Sequence, residues 1–155
     1  MTPHSITLRA ADARDLSALC VLVRQYWEFE SIPHFHEERI ASLLRKALAP
    51  EGGARAWLAE DSTGQPMGYL LAVTVFSLEY GGLAAEIDEL YVRREARGTG
   101  LGVALLAAAE AGLRDQGVCC LQLQLATANL EAREFYRRRG FTRRAGYELW
   151  DKPLG

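Results

Sequence analysis

The stretch that most restricts how this chain can fold runs from residue 85 to residue 103. Ala85-Glu86-Ile87-Asp88-Glu89-Leu90-Tyr91-Val92 reads as a strand, and Arg97-Gly98-Thr99-Gly100-Leu101-Gly102-Val103 then opens an Ala- and Leu-rich helical pattern. Three glycines at every second position strip side chains from the place where a helix starts, so bare backbone can lie against a ligand there. The first N–H groups of a helix have no acceptor within it, and they carry the positive end of its dipole. Such an end binds phosphate oxygens. Arg93, Arg94 and Arg97 add positive charge beside it. The pattern predicts a strand bearing three carboxylates, then a pyrophosphate cradle, then a helix.

Two familiar cradles do not fit. A P-loop closes on Gly-Lys-Ser/Thr, and no Lys follows these glycines. The dinucleotide fingerprint Gly-x-Gly-x-x-Gly, counted from Gly98, meets Val103 where its third glycine should stand. The string does match Arg/Gln-x-x-Gly-x-Gly/Ala through Arg97, Gly100 and Gly102. It resembles the acyl-CoA-binding motif of the GNAT superfamily of N-acetyltransferases, and a strand ending Leu90-Tyr91-Val92 strengthens that resemblance. The resemblance implies acetyl-CoA as co-substrate. Its pyrophosphate would lie on the backbone of Arg97, Gly98, Thr99, Gly100, Leu101, Gly102 and Val103, and its pantetheine arm along Leu90, Tyr91 and Val92.

A second stretch, Asn129-x-x-Ala132-x-x-Phe135-Tyr136-x-x-x-Gly140-Phe141, resembles the later motif of the same family. Alone, Asn129 reads as a helix cap and Tyr136 as a core aromatic. The resemblance places Asn129 beside the pantetheine and Tyr136 by the acetyl thioester, where a phenol can protonate the departing thiolate.

Period two puts Glu86 and Asp88 on one face of their strand and Glu89 on the other. Strand carboxylates are commonly just solvated. Acetyl transfer to an amine gives them a use: an alkylammonium, with a pKa of about 10.4, must lose a proton before it can attack. The base of GNAT lysine acetyltransferases aligns with Glu86. The acidic pair of diamine acetyltransferases, which this chain resembles in part, aligns with Asp88 and Glu89. Ribosomal-protein N-terminal acetyltransferases carry a Glu where this chain has Gln124, which is a departure. Tyr26, Trp27 and Phe29 read either as plain core or, by the resemblance, as a wall of the acceptor pocket, with Asp88 drawing in the acceptor.

Composition limits the alternatives. The chain has 155 residues, 49% of them hydrophobic and 25% charged, which suits one folded domain spanning residues 1–155. A net charge of −2 gives no global pull toward nucleic acid or membrane surfaces. No apolar run nears the roughly 20 residues of a membrane span, and the N-terminus lacks a signal-peptide core. Three cysteines, two of them adjacent, do not make a disulfide framework, so reduced thiols and a cytoplasmic location are expected. His34 and His36 lack a third ligand at metal spacing, so no metal is expected. The arginines between 133 and 144 read as a solvated helix face or a contact for the CoA 3′-phosphate. A homodimer is the assembly expected.

In chain order, a strand over 5–10 leads to a helix capped by Asp12 and a second helix over 36–49. Strands follow over 54–60, 67–76 and 85–92, then the cradle helix, a strand ending near 125, a helix opened by Asn129, and a closing hairpin over 141–152. This is an α/β chain with a mixed, mostly antiparallel sheet and helices on both faces, the GNAT order. The expected activity is acetyl-CoA-dependent N-acetylation of a small cationic primary amine by direct attack. The alternatives are acetylation of a protein lysine or N-terminus, or a non-catalytic acyl-CoA-binding regulatory module.

Overall fold

In the computed structural model, which describes residues 5–155, five strands lie side by side in chain order. They are β1 (Thr7–Ala10), β2 (Ala54–Glu60), β3 (Pro66–Ser77), β4 (Gly82–Val92) and β5 (Cys120–Leu123). The first three pairings are antiparallel and β4–β5 is parallel. A parallel neighbour cannot follow a tight turn, and helix α3 (Leu101–Asp115) supplies the crossover. The remaining helices are α1 (Leu16–Phe29), α2 (Glu37–Ala47) and α4 (Leu130–Arg137).

Both sheet faces are covered. Leu19, Leu22 and Val23 of α1 and Ile40 and Leu44 of α2 cluster with Ala56, Leu58, Tyr69, Leu71 and Tyr91 on one face. Helix α3 takes the other. Its Gly112 lets the helix settle against Trp57, where a Cβ would come within 2.9 Å of the indole. Asp12 caps a short 3-10 turn, Ala13–Asp15, rather than α1 itself. The buried Asp15 receives both Arg9 guanidinium nitrogens, at 2.8 and 2.7 Å, which ties β1 to the start of α1.

One irregularity re-aims the acidic strand. Leu71 of β3 faces Glu89, but the next residue, Ala72, faces Ile87, so Asp88 is an extra residue on β4. This bulge overturns the simple alternation expected from the sequence. Glu89 stands opposite Leu71 and Glu86 opposite Val73, so both project from the face that carries Tyr69, Leu71 and Tyr91. Glu86 and Glu89 therefore share a face, and Asp88 sits at the kink between them.

Contacts divide the chain into a larger unit ending at Leu123 and a smaller one, Gln124–Gly155. In the smaller unit, α4 is capped by the Asn129 side chain, which accepts from the Ala132 N–H at 3.1 Å. Gly140, at φ 86°, follows the helix, and Phe141 N–H returns to the Tyr136 carbonyl at 3.2 Å. The closing hairpin expected over 141–152 does not form among the described residues. Tyr147, Leu149 and Trp150 are all exposed there. Strand-like residues without a face to bury do not hold a pairing on their own.

Candidate active site

Two structural features meet at the end of β4. The first is the cradle. After a 3-10 turn, Arg94–Ala96, the backbone enters the left-handed region at Gly98 (φ 74°) and again at Gly100 (φ 87°), and α3 begins at Leu101. Gly100 is the N-cap and has no side chain to satisfy the helix's first N–H groups. The first return bond of the helix runs from Ala104 N–H to the Gly100 carbonyl at 3.0 Å, leaving the amides of Leu101, Gly102 and Val103 ahead of it. Nothing lies within 4 Å of where a Cβ would stand at Gly98 or Gly100.

Glycine at 98 and 100 is required by backbone geometry alone. Gly102 is different. It lies in the first turn of α3 outside the left-handed region, where Ala would be favoured over Gly by about 1 kcal/mol, so neither backbone geometry nor helix propensity asks for glycine there.

The second feature is the divergence of β4 from β5. Their ladder joins only Ala84–Ile87 to Cys120–Leu123, so Asp88 through Val92 have no β5 partner. Leu90, Tyr91 and Val92 lie on this opened stretch, which leads straight into the cradle. An extended amide-bearing chain can pair with such an edge. A diphosphate at the α3 N-terminus and a pantetheine arm along β4 fit both features, so these residues suit acetyl-CoA.

The flanking side chains are arranged unevenly. Arg97 stacks its guanidinium 4.3 Å over the Phe29 ring and 5.6 Å over Tyr91, and donates from Nε to the Val92 carbonyl at 3.0 Å. Thr99 donates its hydroxyl to Ala96 O at 2.6 Å, fixing the loop before the helix. Arg93 turns back to Glu95 (3.3 Å) and the Pro66 carbonyl, so it braces the turn rather than lending charge to the cradle.

The carboxylates occupy different settings. Glu89 accepts from Trp27 Nε1 at 2.8 Å and from the Tyr69 hydroxyl. Burial raises its pKa above the ordinary glutamate value, the two donors oppose that rise, and Asp88 adds to it. Asp88 is exposed overall, yet crowding around its carboxyl removes enough water to raise its pKa as well. Glu86 lies 3.5 Å from Gln122 Nε2 of β5. Neither Asp88 nor Glu89 has an ion-pair partner among the described residues.

The aromatic group divides. Tyr26 and Phe29 tilt against Tyr91 at 6.0 and 6.5 Å between ring centres. Burial and nearby Glu30, Glu89 and Asp88 push the Tyr26 phenol up to about 12. Trp27 instead spends its indole N–H on Glu89 and sets its ring edge-on to Phe35 at 5.9 Å. Tyr69, which sequence reasoning missed, is fully buried yet reaches Glu89. Its signal was a single hydroxyl within the otherwise apolar run of residues 67–73.

In the smaller unit, Tyr136 is buried between Phe135 and Phe141, with ring centres at 5.0 and 5.3 Å. The arginines near it are largely engaged: Arg137 and Arg138 pair with Glu134, and Arg139 stacks on Phe135. Among the described residues no cluster of His, Cys, Asp and Glu could hold a metal ion, and no helix is long and apolar enough to cross a membrane.

The model of the acetyltransferase (GNAT) family matches residues 17–141. The chain belongs to that family. It is therefore an acetyltransferase, and acetyl-CoA-dependent acyl transfer is the family's reaction. YhfO of Bacillus subtilis (strain 168), an uncharacterized N-acetyltransferase, is 28% identical over 142 residues, covering 92% of this chain and 93% of YhfO. The integron cassette protein HFX_CASS3, from the mobile metagenome of Cole Harbour salt marsh, superposes with a TM-score of 0.82 at 29% identity. That match covers 96% of this chain and 90% of the other. A Clostridium acetobutylicum structure, described as a predicted acetyltransferase with acetyl-CoA, has a TM-score of 0.80 at 17% identity, with 95% and 96% of the chains covered. At that identity it is similar in fold alone.

Proposed function

We propose that this GNAT acetyltransferase moves the acetyl group of acetyl-CoA to the nitrogen of a small cationic primary amine by direct attack. The observation that carries this reading is the state of Asp88 and Glu89. Both carboxyls lose water beside the opened stretch of β4, both have raised pKa values, and no cation answers either of them among the described residues. Carboxylates in that state gain from an incoming ammonium, and an anionic acceptor would be repelled. Tyr26 and Phe29 would flank the alkyl body of the acceptor.

In this reading the amides of Leu101, Gly102 and Val103 hold the pyrophosphate, and Leu90, Tyr91 and Val92 guide the pantetheine arm. Asn129 and Tyr136 act as the family's later motif implies, Tyr136 protonating the thiolate. The strand carboxylates attract the ammonium and take up its proton. A pure acyl-CoA binder would need neither group. Residues 1–155 are taken as one working domain, a reading supported by a family match that runs through both units.

The test is the Asp88→Asn variant assayed with acetyl-CoA and a diamine such as putrescine. Its KM for the amine should rise about tenfold or more, while the KM for acetyl-CoA changes less than about twofold. Equal KM values for variant and wild type would contradict the electrostatic account.

A further inference from the structure

We propose that Tyr69 and Trp27 are positioning residues for acetyl transfer, whose two donors fix Glu89 as the carboxylate that accepts the ammonium proton. This rests on the amine-acetylation reading above and selects one of its three carboxylates.

The geometry separates them. Asp88 is the extra residue of the bulge, and no donor among the described residues holds its carboxyl. Glu86 sits within the β4–β5 ladder, beside Gln122. Glu89 lies past the last β5 pairing, where β4 is open, and the bulge turns it to the face of Tyr69 and Tyr91. There each of its oxygens has its own donor. Oε1 receives Trp27 Nε1–H from α1 at 2.8 Å, and Oε2 receives the Tyr69 hydroxyl from β3.

Those donors come from elements far apart in sequence, 62 and 20 residues from Glu89. Packing alone does not ask for them. Tyr69 is 0% exposed, and Phe would fill that space without burying a hydroxyl. Indole N–H can only donate, and burial beside Glu89 pushes the Tyr69 phenol far up, so both groups stay donors across the physiological range. Two donors hold the carboxylate ionised and oriented while leaving it further lone pairs.

Among the described residues, the titratable groups that interact with Glu89 are Tyr69 from β3, Asp88 on β4 and Tyr26 from α1. None is cationic. Arg97 stacks on Tyr91 and is not among the ion-paired residues, so it makes no ion pair with Glu89. The cation at this position is left for the acceptor to bring.

The step balances as follows. An ammonium N–H proton passes to Glu89, directly or through water, and the bonding pair remains on nitrogen. That pair forms the C–N bond at the thioester carbonyl. The C–S bond breaks with its electrons on sulfur. The nitrogen loses its second proton, one proton reaches the thiolate, and Glu89 returns its own to water. The sum is ammonium plus acetyl-CoA giving amide, CoA thiol and one proton.

Tyr69→Phe and Trp27→Phe each remove one donor and keep a ring. The pH dependence of kcat/KM with putrescine and acetyl-CoA is measured for both, alongside the titration of the Glu89 carboxyl carbon by NMR, assigned with Glu89→Gln. Loss of a donor disfavours the carboxylate, so the NMR midpoint and the acid limb of the rate profile should both move to higher pH. The plateau rate should stay within about tenfold, and Glu89→Gln should lose about 10²-fold or more. A midpoint that stays in place overturns the positioning role. A midpoint that moves without the acid limb overturns Glu89 as the proton acceptor. Wild type that binds acetyl-CoA but never acetylates putrescine or spermidine overturns the amine reading itself, and this inference with it.

Discussion

Arg97 lies with its guanidinium 4.3 Å above the ring of Phe29. Arg97 follows the 3-10 turn that leads into α3 and Phe29 ends α1, so the stack ties the glycine-rich loop to the last turn of α1. A cation–π contact at such a position contributes about 0.5–1 kcal/mol. Phe29→Ala should therefore weaken acetyl-CoA binding by about two- to fivefold in calorimetry. Unchanged affinity would mean that Arg97 is held without Phe29.

Gly102 offers the cleanest probe of the cradle. At Gly100, with φ 87°, any side chain strains the turn, so loss of binding there could follow from distortion. Gly102 lies in the helix, and Gly102→Val should leave the circular dichroism spectrum intact while abolishing acetyl-CoA binding. A folded variant that binds normally would remove the cradle from the account.

Tyr136→Phe keeps the edge-on contacts with Phe135 and Phe141 and deletes only the hydroxyl. Turnover should fall by about 10²-fold, the scale of losing a general acid, with acetyl-CoA affinity unchanged. Full turnover would leave Tyr136 a packing residue.

The raised Glu89 pKa also has a stability signature. Its ordinary value is 4.5, and its folded value lies higher. Between the two, the folded state binds more protons than the unfolded state, so stability falls as pH rises through that window and then levels off. Urea unfolding of wild type relative to Glu89→Gln should show this decline from about pH 4.5 upward. A difference that grows with pH would mean that the two donors outweigh burial.

Much of this was legible in the sequence because it is local. The glycines, the strand before them and the helix after them announce the left-handed turn from β4 into α3, and Asn129 and Gly140 bracket α4. The bulge was not read, although it leaves a trace. Ala85, Ile87, Leu90 and Val92 share the face opposite Glu86 and Glu89, and their spacing of two, three and two residues is broken at Asp88. The Tyr69–Glu89–Trp27 linkage is long-range, and nothing local in the sequence predicts it. The closing hairpin failed in the opposite way, since its residues favour strands but Tyr147, Leu149 and Trp150 find no face to bury.

The most direct test of the account is acetyl transfer itself. Purified protein is incubated with acetyl-CoA and a panel containing putrescine, spermidine, a lysine peptide, a neutral amine and glutamate. CoA release is followed, and the products are weighed by mass spectrometry. The account predicts N-acetylated putrescine or spermidine at a kcat/KM at least about tenfold above that for the neutral amine, and no product from glutamate. Preference for glutamate, or acetyl-CoA binding without transfer to any member of the panel, would contradict it.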